Sequence, residues 1–310
     1  MHEVSIRAVA APEAEAVAPL TWNAYRSLLA APDPAGRTCC LAAWRGDAPI
    51  ALAVSSASSE HCLTEGCQSL LSLTVAPAWR RQGVGRRLLT ELEDALDRLE
   101  VRSLSASFSD RLPEAAAFSA LLAATGWDIP TAQRYRICGE VKDTAILFRD
   151  RDRLLKRLEG TGFRVHSWRD RAADGHRFAE AVIADGAAPA WARPALWEKS
   201  LDPDVSLVIA DAAGQPAGWV ICEYQPHLSR LYFPIGWMVP PYDARGWLLG
   251  AYAVGAERAM AKYGGSTLAV IETGSMQQGM WRLFERHFQP HARWTDRLLI
   301  SSRSLAGKRP

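Results

Sequence analysis

The residues of this chain that are best suited to chemistry form a short basic loop, Arg-Arg-Gln-Gly-Val-Gly at residues 80–85. Apolar residues precede it at 71–75 and leucines follow it at helical spacing, so the stretch is predicted to be a strand, a loop and a helix. Backbone N–H groups at a helix start have no intrahelical partner and lie at the positive end of the helix dipole. Gly83 and Gly85 lack a Cβ and allow a ligand close to the backbone. The loop therefore predicts an anion site of the kind that holds a pyrophosphate.

The spacing of the glycines and the flanking elements separate this loop from commoner glycine turns. A glycine turn between a strand and a helix is common, and arginines such as Arg86 and Arg87 are usually solvated. The spacing matches neither the Gly-x-x-x-x-Gly-Lys-Ser/Thr loop of nucleotide triphosphatases nor the Gly-x-Gly-x-x-Gly loop of dinucleotide-binding domains. Both of those classes are therefore disfavoured, and the flanking strand and helix favour an anion site.

The stretch as a whole resembles the acyl-CoA-binding motif of the GNAT superfamily of N-acyltransferases. The resemblance is carried by Val75-Ala76-Pro77, by Arg80-x-x-Gly83-x-Gly85 and by the leucine-rich helix. It implies that backbone amides from Gln82 to Arg86 hold the CoA pyrophosphate, and that the strand end at 73–75 binds the pantetheine arm. The cofactor-binding residues that it implies are Leu73, Thr74, Val75, Arg80, Arg81, Gln82, Gly83, Val84, Gly85 and Arg86. The co-substrate that it implies is acetyl-CoA.

The acid and the base of such a reaction are not defined by the resemblance. In the family a backbone N–H on the fourth strand contacts the oxyanion, and Val75 is the corresponding residue here. Many members use a tyrosine on the helix after the fifth strand, but residues 113–124 contain none. Tyr135 and Glu65 are candidates, although core or surface roles also explain them. Polar residues at 107–110 are further candidates for hydrogen bonds to the cofactor or the substrate.

The order of elements along the chain repeats after about 160 residues, which predicts two domains in tandem. We expect an α/β fold in which each domain is a twisted mixed β-sheet flanked by helices. The predicted boundaries are 1–148 for a first GNAT-like domain, 149–160 for a linker helix and 161–310 for a second, degenerate copy. In the second copy Arg245-Gly246-Trp247 stands in place of the loop, with Trp247 where a glycine is wanted. The layout resembles that of mycothiol synthase-type tandem proteins.

Composition narrows the class of protein further. A formal net charge of +2 does not favour nucleic acid as a partner. No run approaches about 18 apolar residues, so no membrane span is predicted. The six cysteines form no Cys-x-x-Cys pair and no secretory signal is recognised, which favours reduced thiols in the cytoplasm. The histidine spacing disfavours a metal site. A monomer or a homodimer is expected.

The function predicted from the sequence is transfer of an acetyl or other short acyl group from acyl-CoA to a primary amine of a small molecule or peptide. One alternative is a non-catalytic, acyl-CoA-responsive binding module, which would bind CoA esters without releasing free thiol. A second alternative is an interaction scaffold with two degenerate copies, which the intact loop at 80–85 disfavours. The sequence does not identify the acceptor or the acyl length.

Overall fold

The computed structural model of the protein describes residues 3–30, 37–57, 66–143, 151–275 and 277–305. Its strands are β1 (Val4–Ala8), β2 (Thr38–Arg45), β3 (Ala48–Ser56), β4 (Cys67–Val75), β5 (Ser103–Ser109), β6 (Thr131–Glu140), β7 (Arg164–Ser167), β8 (Leu207–Ala210), β9 (Pro216–Gln225), β10 (Arg230–Met238), β11 (Leu268–Gly274) and β12 (Trp294–Ser304). Its α-helices are α1 (Ala14–Val17), α2 (Ser27–Ala30), α3 (Val84–Arg98), α4 (Ala115–Ala124), α5 (Arg151–Glu159), α6 (Trp168–Ala184), α7 (Trp247–Tyr263) and α8 (Gln278–Leu283).

The chain divides into two compact units. Unit 1 consists of Met1–Gln133 together with Arg297–Pro310, and unit 2 consists of Arg134–Asp296. The sequence-based boundaries follow chain order and would assign 134–148 to the first domain and 297–310 to the second. The compact units assign these two segments the other way round. The predicted boundaries of 1–148, 149–160 and 161–310 stay predictions.

The sheet of unit 1 has the strand order β1-β2-β3-β4-β5-β12. Neighbouring strands are antiparallel except β4 and β5, which are parallel. Helix α3 packs on one face with four leucines that have no exposed surface (Leu88, Leu89, Leu92 and Leu96). They are four of the five leucines whose spacing predicts the helix. The fifth, Leu99, follows the last residue of the helix and is half exposed. The predicted strand, loop and helix are therefore confirmed as secondary structure.

The N-terminal segment differs from its prediction. The sequence predicts one helix over 12–29, but the structure has two four-residue helices, α1 and α2, separated by 3₁₀ turns at Ala18–Leu20 and Asn23–Tyr25. Pro19 lies in the first of these turns. A proline there supplies no N–H and its ring meets the preceding turn of a helix, so a continuous α-helix is interrupted.

The sheet of unit 2 repeats the same pattern, with the strand order β7-β8-β9-β10-β11-β6. Its fourth and fifth strands, β10 and β11, are again parallel, and its other neighbouring strands are antiparallel. Helix α7 occupies the place after the fourth strand that α3 occupies in unit 1. Its buried face includes Trp247, Ala251 and Ala259. The predicted fold class, two mixed sheets flanked by helices, is therefore confirmed.

A cluster of charges surrounds Asp202 in unit 2. Its buried carboxylate accepts hydrogen bonds from the Lys262 ammonium (2.9 and 3.0 Å) and from the Tyr263 hydroxyl. Lys262 also pairs with Asp204 at 2.7 Å. Burial by itself raises the pKa of Asp202, but the bonds from Tyr263 and Lys262 outweigh it and hold that pKa below its usual range. The cluster thus stabilises the charged form of a buried carboxylate.

Within the described ranges, no helix combines the length and apolar character that crossing a bilayer requires.

Candidate acyl-CoA site

An irregularity in β4 opens the sheet of unit 1. Val54 of β3 pairs with Ser72, but the next residue, Ser55, pairs with Leu70, so Leu71 is an extra residue in β4. The parallel pairing of β4 with β5 ends at Leu70 and Ala106. Both strands continue beyond that point, β4 to Val75 and β5 to Ser109. The two strand ends therefore border a gap, which we call the β4–β5 gap.

The alternation of backbone groups shows which amides face this gap. The N–H of Ala76 donates to the carbonyl of Ile50 in β3, at 2.8 Å. Successive residues of an antiparallel strand direct their N–H groups to opposite sides. Leu73 and Val75 therefore turn their N–H groups away from β3, toward the β4–β5 gap. The sequence predicts an N–H contact from Val75, and the structure adds Leu73 as a second amide on the same side, deeper in the gap.

The loop that follows β4 has the backbone conformation of a tight turn into a helix. A 3₁₀ turn at Pro77–Trp79 is followed by Arg81 and Gly83, both with positive φ (64° and 79°). Gly83 precedes the first residue of α3 and tolerates this conformation because it has no Cβ. Arg81 adopts the same positive φ although it has a Cβ. A non-glycine residue held in this conformation carries strain of about 1–3 kcal/mol, which is typical of functional loops.

The amides of the loop are available to a ligand. The backbone N–H groups of residues 81–86 have no hydrogen-bond partner among the residues that the structure describes. Three of them belong to the first turn of α3, a 15-residue helix whose start has no side-chain cap. The side chains of Arg81 and Arg86 are exposed beside them. This arrangement has the free donors and the positive helix dipole that bind a phosphate group.

Two loop side chains hold the loop in place. The Arg80 guanidinium donates from Nε to the carbonyl of Val75 at 3.0 Å and pairs through Nη1 with Glu114 at 3.0 Å. Gln82 donates from Nε2 to the carbonyl of Ala78 at 2.9 Å. Both residues are predicted to contact the cofactor, and the structure gives them contacts that position the loop. Arg80 connects the end of β4 to the residue before α4.

The second glycine of the loop lies against the strand end. A Cβ at Gly85 would lie 3.4 Å from Cγ2 of Val75 and 3.7 Å from Cδ2 of Leu121, which is ordinary van der Waals contact. A longer side chain would extend further into the space between the loop, β4 and α4. Gly85 therefore keeps that space open.

Comparisons with known proteins agree with this geometry. Residues 7–119 match the family model described as acetyltransferase (GNAT) family. The fold as a whole is similar to a tandem GNAT protein from the clavulanic acid biosynthesis pathway, with a TM-score of 0.63 at 15% identity over 98% of this chain and 99% of that one. It is also similar to a GCN5-related N-acetyltransferase from Sphaerobacter thermophilus, with a TM-score of 0.62 at 16% identity over 97% and 96% of the two chains.

The chain has the tandem GNAT fold. A further structure with this fold is a GCN5-related glucosamine N-acetyltransferase region of a fungal multi-domain β-N-acetylglucosaminidase, with a TM-score of 0.67 at 11% identity over 97% of this chain and 38% of that one. No curated protein sequence matches the chain. At these identities the structural likeness establishes the fold, and the family match lies within unit 1.

The loop of unit 2 that corresponds to residues 80–85 retains the turn before the helix but has a larger residue at the position of Gly85. Gly246 has φ 74° and precedes α7 as Gly83 precedes α3. Trp247 therefore corresponds to Val84, and it is Leu248 that corresponds to Gly85. The sequence-based placement of Trp247 at a glycine position is wrong, because α7 begins directly after Gly246 as α3 begins directly after Gly83. The Trp247 ring is buried in the core, 4.5 Å from the Tyr242 ring.

Strand β10 of this second unit is approached by side chains of α7 at a glycine. The pairing of β10 with β11 ends at Phe233, while β10 continues to Met238. A Cβ at Gly236 would overlap the Tyr252 hydroxyl and lie 3.0 Å from Cδ1 of Leu248. Two side chains of α7 thus lie against β10 at Gly236, the position that corresponds to Leu73 of β4, whose own side chain packs into the core of unit 1. The degeneracy of the second copy stays a prediction.

The two acid–base candidates have different outcomes. Tyr135 is 4% exposed, stacks on Trp281 with ring centroids 5.4 Å apart and donates to Oε1 of Gln289 at 3.1 Å, all within unit 2. These contacts describe a core tyrosine, and its catalytic role stays a prediction. Glu65 lies outside the described residues.

The position of Ser72 at the gap and the depth of Leu73 in it were not predicted from the sequence. Both depend on the extra residue at Leu71, which leaves no periodic signal in an apolar strand. The alternation of serines in β5, Ser-Leu-Ser-Ala-Ser-Phe-Ser, was the available signal for a polar face on the neighbouring strand.

Proposed function

We propose that unit 1 binds acetyl-CoA, or another short acyl-CoA, and transfers its acyl group to a primary amine of a small molecule or peptide. The pyrophosphate lies on the free amides of residues 82–86, and the pantetheine arm runs along β4 in the β4–β5 gap. The GNAT family match over residues 7–119 supports this choice of ligand.

One observation carries the proposal. A row of unpartnered amides at a helix start is preceded, within the same strand–loop–helix segment, by an open strand edge at Leu73 and Val75. The first feature suits a diphosphate and the second suits an extended arm with amide groups. An inorganic phosphate site requires only the first of the two.

The residues of the gap then have defined roles. The N–H groups of Leu73 and Val75 donate to oxygens of the bound ester, and the deeper of the two is suited to the thioester carbonyl. A preorganised N–H that faces developing negative charge lowers the barrier of acyl transfer, typically by about 2.7–4 kcal/mol for one donor. Holding the amine and the thioester together supplies a further contribution. In unit 2 Gly246 is followed by Trp247 and Leu248 in place of Val84 and Gly85, so we propose the acyl-CoA site for unit 1 alone.

Two measurements test the proposal. Calorimetry with acetyl-CoA is expected to show one site per chain, with weaker binding of S-acetylpantetheine, which lacks the pyrophosphate. A free-thiol assay over a panel of primary amines is expected to show acceptor-dependent release of CoA. Binding without release for any amine would favour the acyl-CoA-responsive binding module, and no binding at millimolar acetyl-CoA would contradict both functions.

A further inference from the structure

The serines of β5 form one face of the sheet of unit 1. Leu104, Ala106 and Phe108 pack into the core beside α3, so the four serines that alternate with them face the opposite side. On β4, Leu73 packs into the same core, and its neighbour Ser72 therefore faces the serine side as well.

Where β4 and β5 are still paired, the hydroxyls of this face have partners. Ser69 and Ser105 are directly opposite each other, and their Oγ atoms are 3.3 Å apart. Ser105 also donates to the carbonyl of Gln68 at 3.4 Å. This pair closes the serine face at the inner end of the β4–β5 gap.

The next hydroxyls along the two strands have no partner. Ser72 and Ser107 are the first serines beyond the last β4–β5 pair, one on each strand. The Oγ atom of each is buried and has no hydrogen-bond partner among the residues that the structure describes. Ser72 as a whole is only 6% exposed. An unpartnered hydroxyl in a buried place lowers stability, and buried polar groups in native proteins are usually satisfied. These two groups lie one on each of the strands that border the gap, where a bound ligand would supply the missing partner.

We propose that the Ser72 and Ser107 hydroxyls are the hydrogen-bonding pair at the reacting end of the gap, where they carry the proton of the acceptor amine to the departing sulfur. The inference rests on the proposed acyl transfer. In this step the amine nitrogen forms a bond to the thioester carbon and the carbon–sulfur bond breaks. The amine proton passes to the oxygen of one serine, the hydroxyl proton of that serine passes to the oxygen of the second, and the hydroxyl proton of the second passes to the thiolate, so the step requires the two hydroxyls to hydrogen-bond to each other when the substrates are bound. The products are an amide and a thiol, and both serines end as they began.

This relay needs no ionisable side chain. It therefore suits a GNAT unit whose helix α4 carries no tyrosine and whose strand β4 carries no carboxylate. A neutral hydroxyl both accepts and donates a proton, so two of them connect an amine and a sulfur on either side of the reacting carbon.

The test compares Ser72→Ala and Ser107→Ala with the matched controls Ser69→Ala and Ser105→Ala on the same face of the same strands. Each variant is titrated with acetyl-CoA, melted, and assayed for thiol release from acetyl-CoA with hydroxylamine as a small amine nucleophile.

We expect kcat to fall about 100-fold in Ser72→Ala and Ser107→Ala, as for loss of an acid–base group. Their acetyl-CoA affinity stays within about twofold, and their melting temperature is unchanged or higher because an unsatisfied hydroxyl is removed. Ser107→Thr, which keeps a hydroxyl, retains most of the activity.

The outcomes separate this inference from the function on which it rests. If the unaltered protein releases thiol and all four alanine variants match it, the relay is refuted and acyl transfer stands. If Ser72→Ala and Ser107→Ala lose activity only in proportion to lost stability, their role is structural and the relay is again refuted. If the unaltered protein neither binds acetyl-CoA nor accelerates thiol release, both proposals fall.

Discussion

Replacement of Gly85 by leucine is the perturbation whose effect follows most directly from the geometry. A Cβ at this position is in ordinary contact, 3.4 Å from Val75 and 3.7 Å from Leu121, so Gly85→Ala is accommodated. The three further carbons of leucine extend into the space that the cofactor needs. In unit 2 the equivalent position is a leucine, Leu248, and its Cδ1 atom lies 3.0 Å from where a Cβ of Gly236 would be.

The size of the effect is set by the amides that leucine covers. If two charge-assisted hydrogen bonds to the pyrophosphate are lost, at about 1.5–3 kcal/mol each, binding weakens by about 3–6 kcal/mol. That is about 10²- to 10⁴-fold in Kd. Gly85→Ala is expected to weaken binding by less than about tenfold, since it adds contact without blocking the amides.

The assay is a calorimetric titration with acetyl-CoA, accompanied by thermal melts. Leucine is a better helix former than glycine by up to about 1 kcal/mol, so the variant is expected to stay folded. Thr90→Leu, on the exposed side of the same helix, is the control for added bulk and is expected to bind normally. Unchanged affinity in a folded Gly85→Leu protein would refute the reasoning that the loop amides and the gap form the binding site.

Three further predictions test separate parts of the structure. Arg80→Ala removes the hydrogen bond from the guanidinium to the Val75 carbonyl. The variant is expected to bind acetyl-CoA about tenfold more weakly by calorimetry, because that is the free energy of about one hydrogen bond to a charged group. Unchanged affinity would show that Arg80 does not position the loop. The carboxyl pKa of Asp202 is held below its usual range, so its contribution to stability is present above about pH 4 and is lost as the pH falls further. Asp202→Asn is expected to make the melting temperature fall less steeply with pH below about pH 4. An unaltered pH dependence would contradict the assignment. Cys39 and Cys40 are partly buried, which raises the pKa of Cys39 to about 11 and of Cys40 to about 12. Both thiols are expected to react with iodoacetamide at about pH 8 more slowly in the native protein than in the denatured chain, and equal rates would contradict this expectation.

The parts of the fold that sequence analysis predicts are those determined by local pattern. The leucine period of α3 and the glycines at 83 and 85 place a helix and a turn with little help from the rest of the chain. The prediction of one helix over 12–29 is wrong because Pro19 interrupts it. The proline is itself a local signal, but the prediction gave more weight to the apolar pattern around it.

The remaining features depend on contacts between distant segments. The pairing of β12 with β5 joins residues about 190 positions apart, for example Ile300 and Ser107, and no local pattern encodes it. The extra residue at Leu71 is not encoded locally either, because a bulge is recognised only when β4 is paired with β3. The gap and its two free hydroxyls follow from these pairings, which is why the loop was predictable and the reacting end of the site was not.

The central claim is that one of the two GNAT units binds the acyl donor, through its loop and its open gap. Hydrogen exchange of the whole chain, measured with and without saturating acetyl-CoA, tests it most directly. We expect slower exchange of backbone amides at residues 73–86 and no change at the equivalent residues 237–249 of unit 2. Protection at 237–249, or none at 73–86 when acetyl-CoA is bound, would contradict the claim.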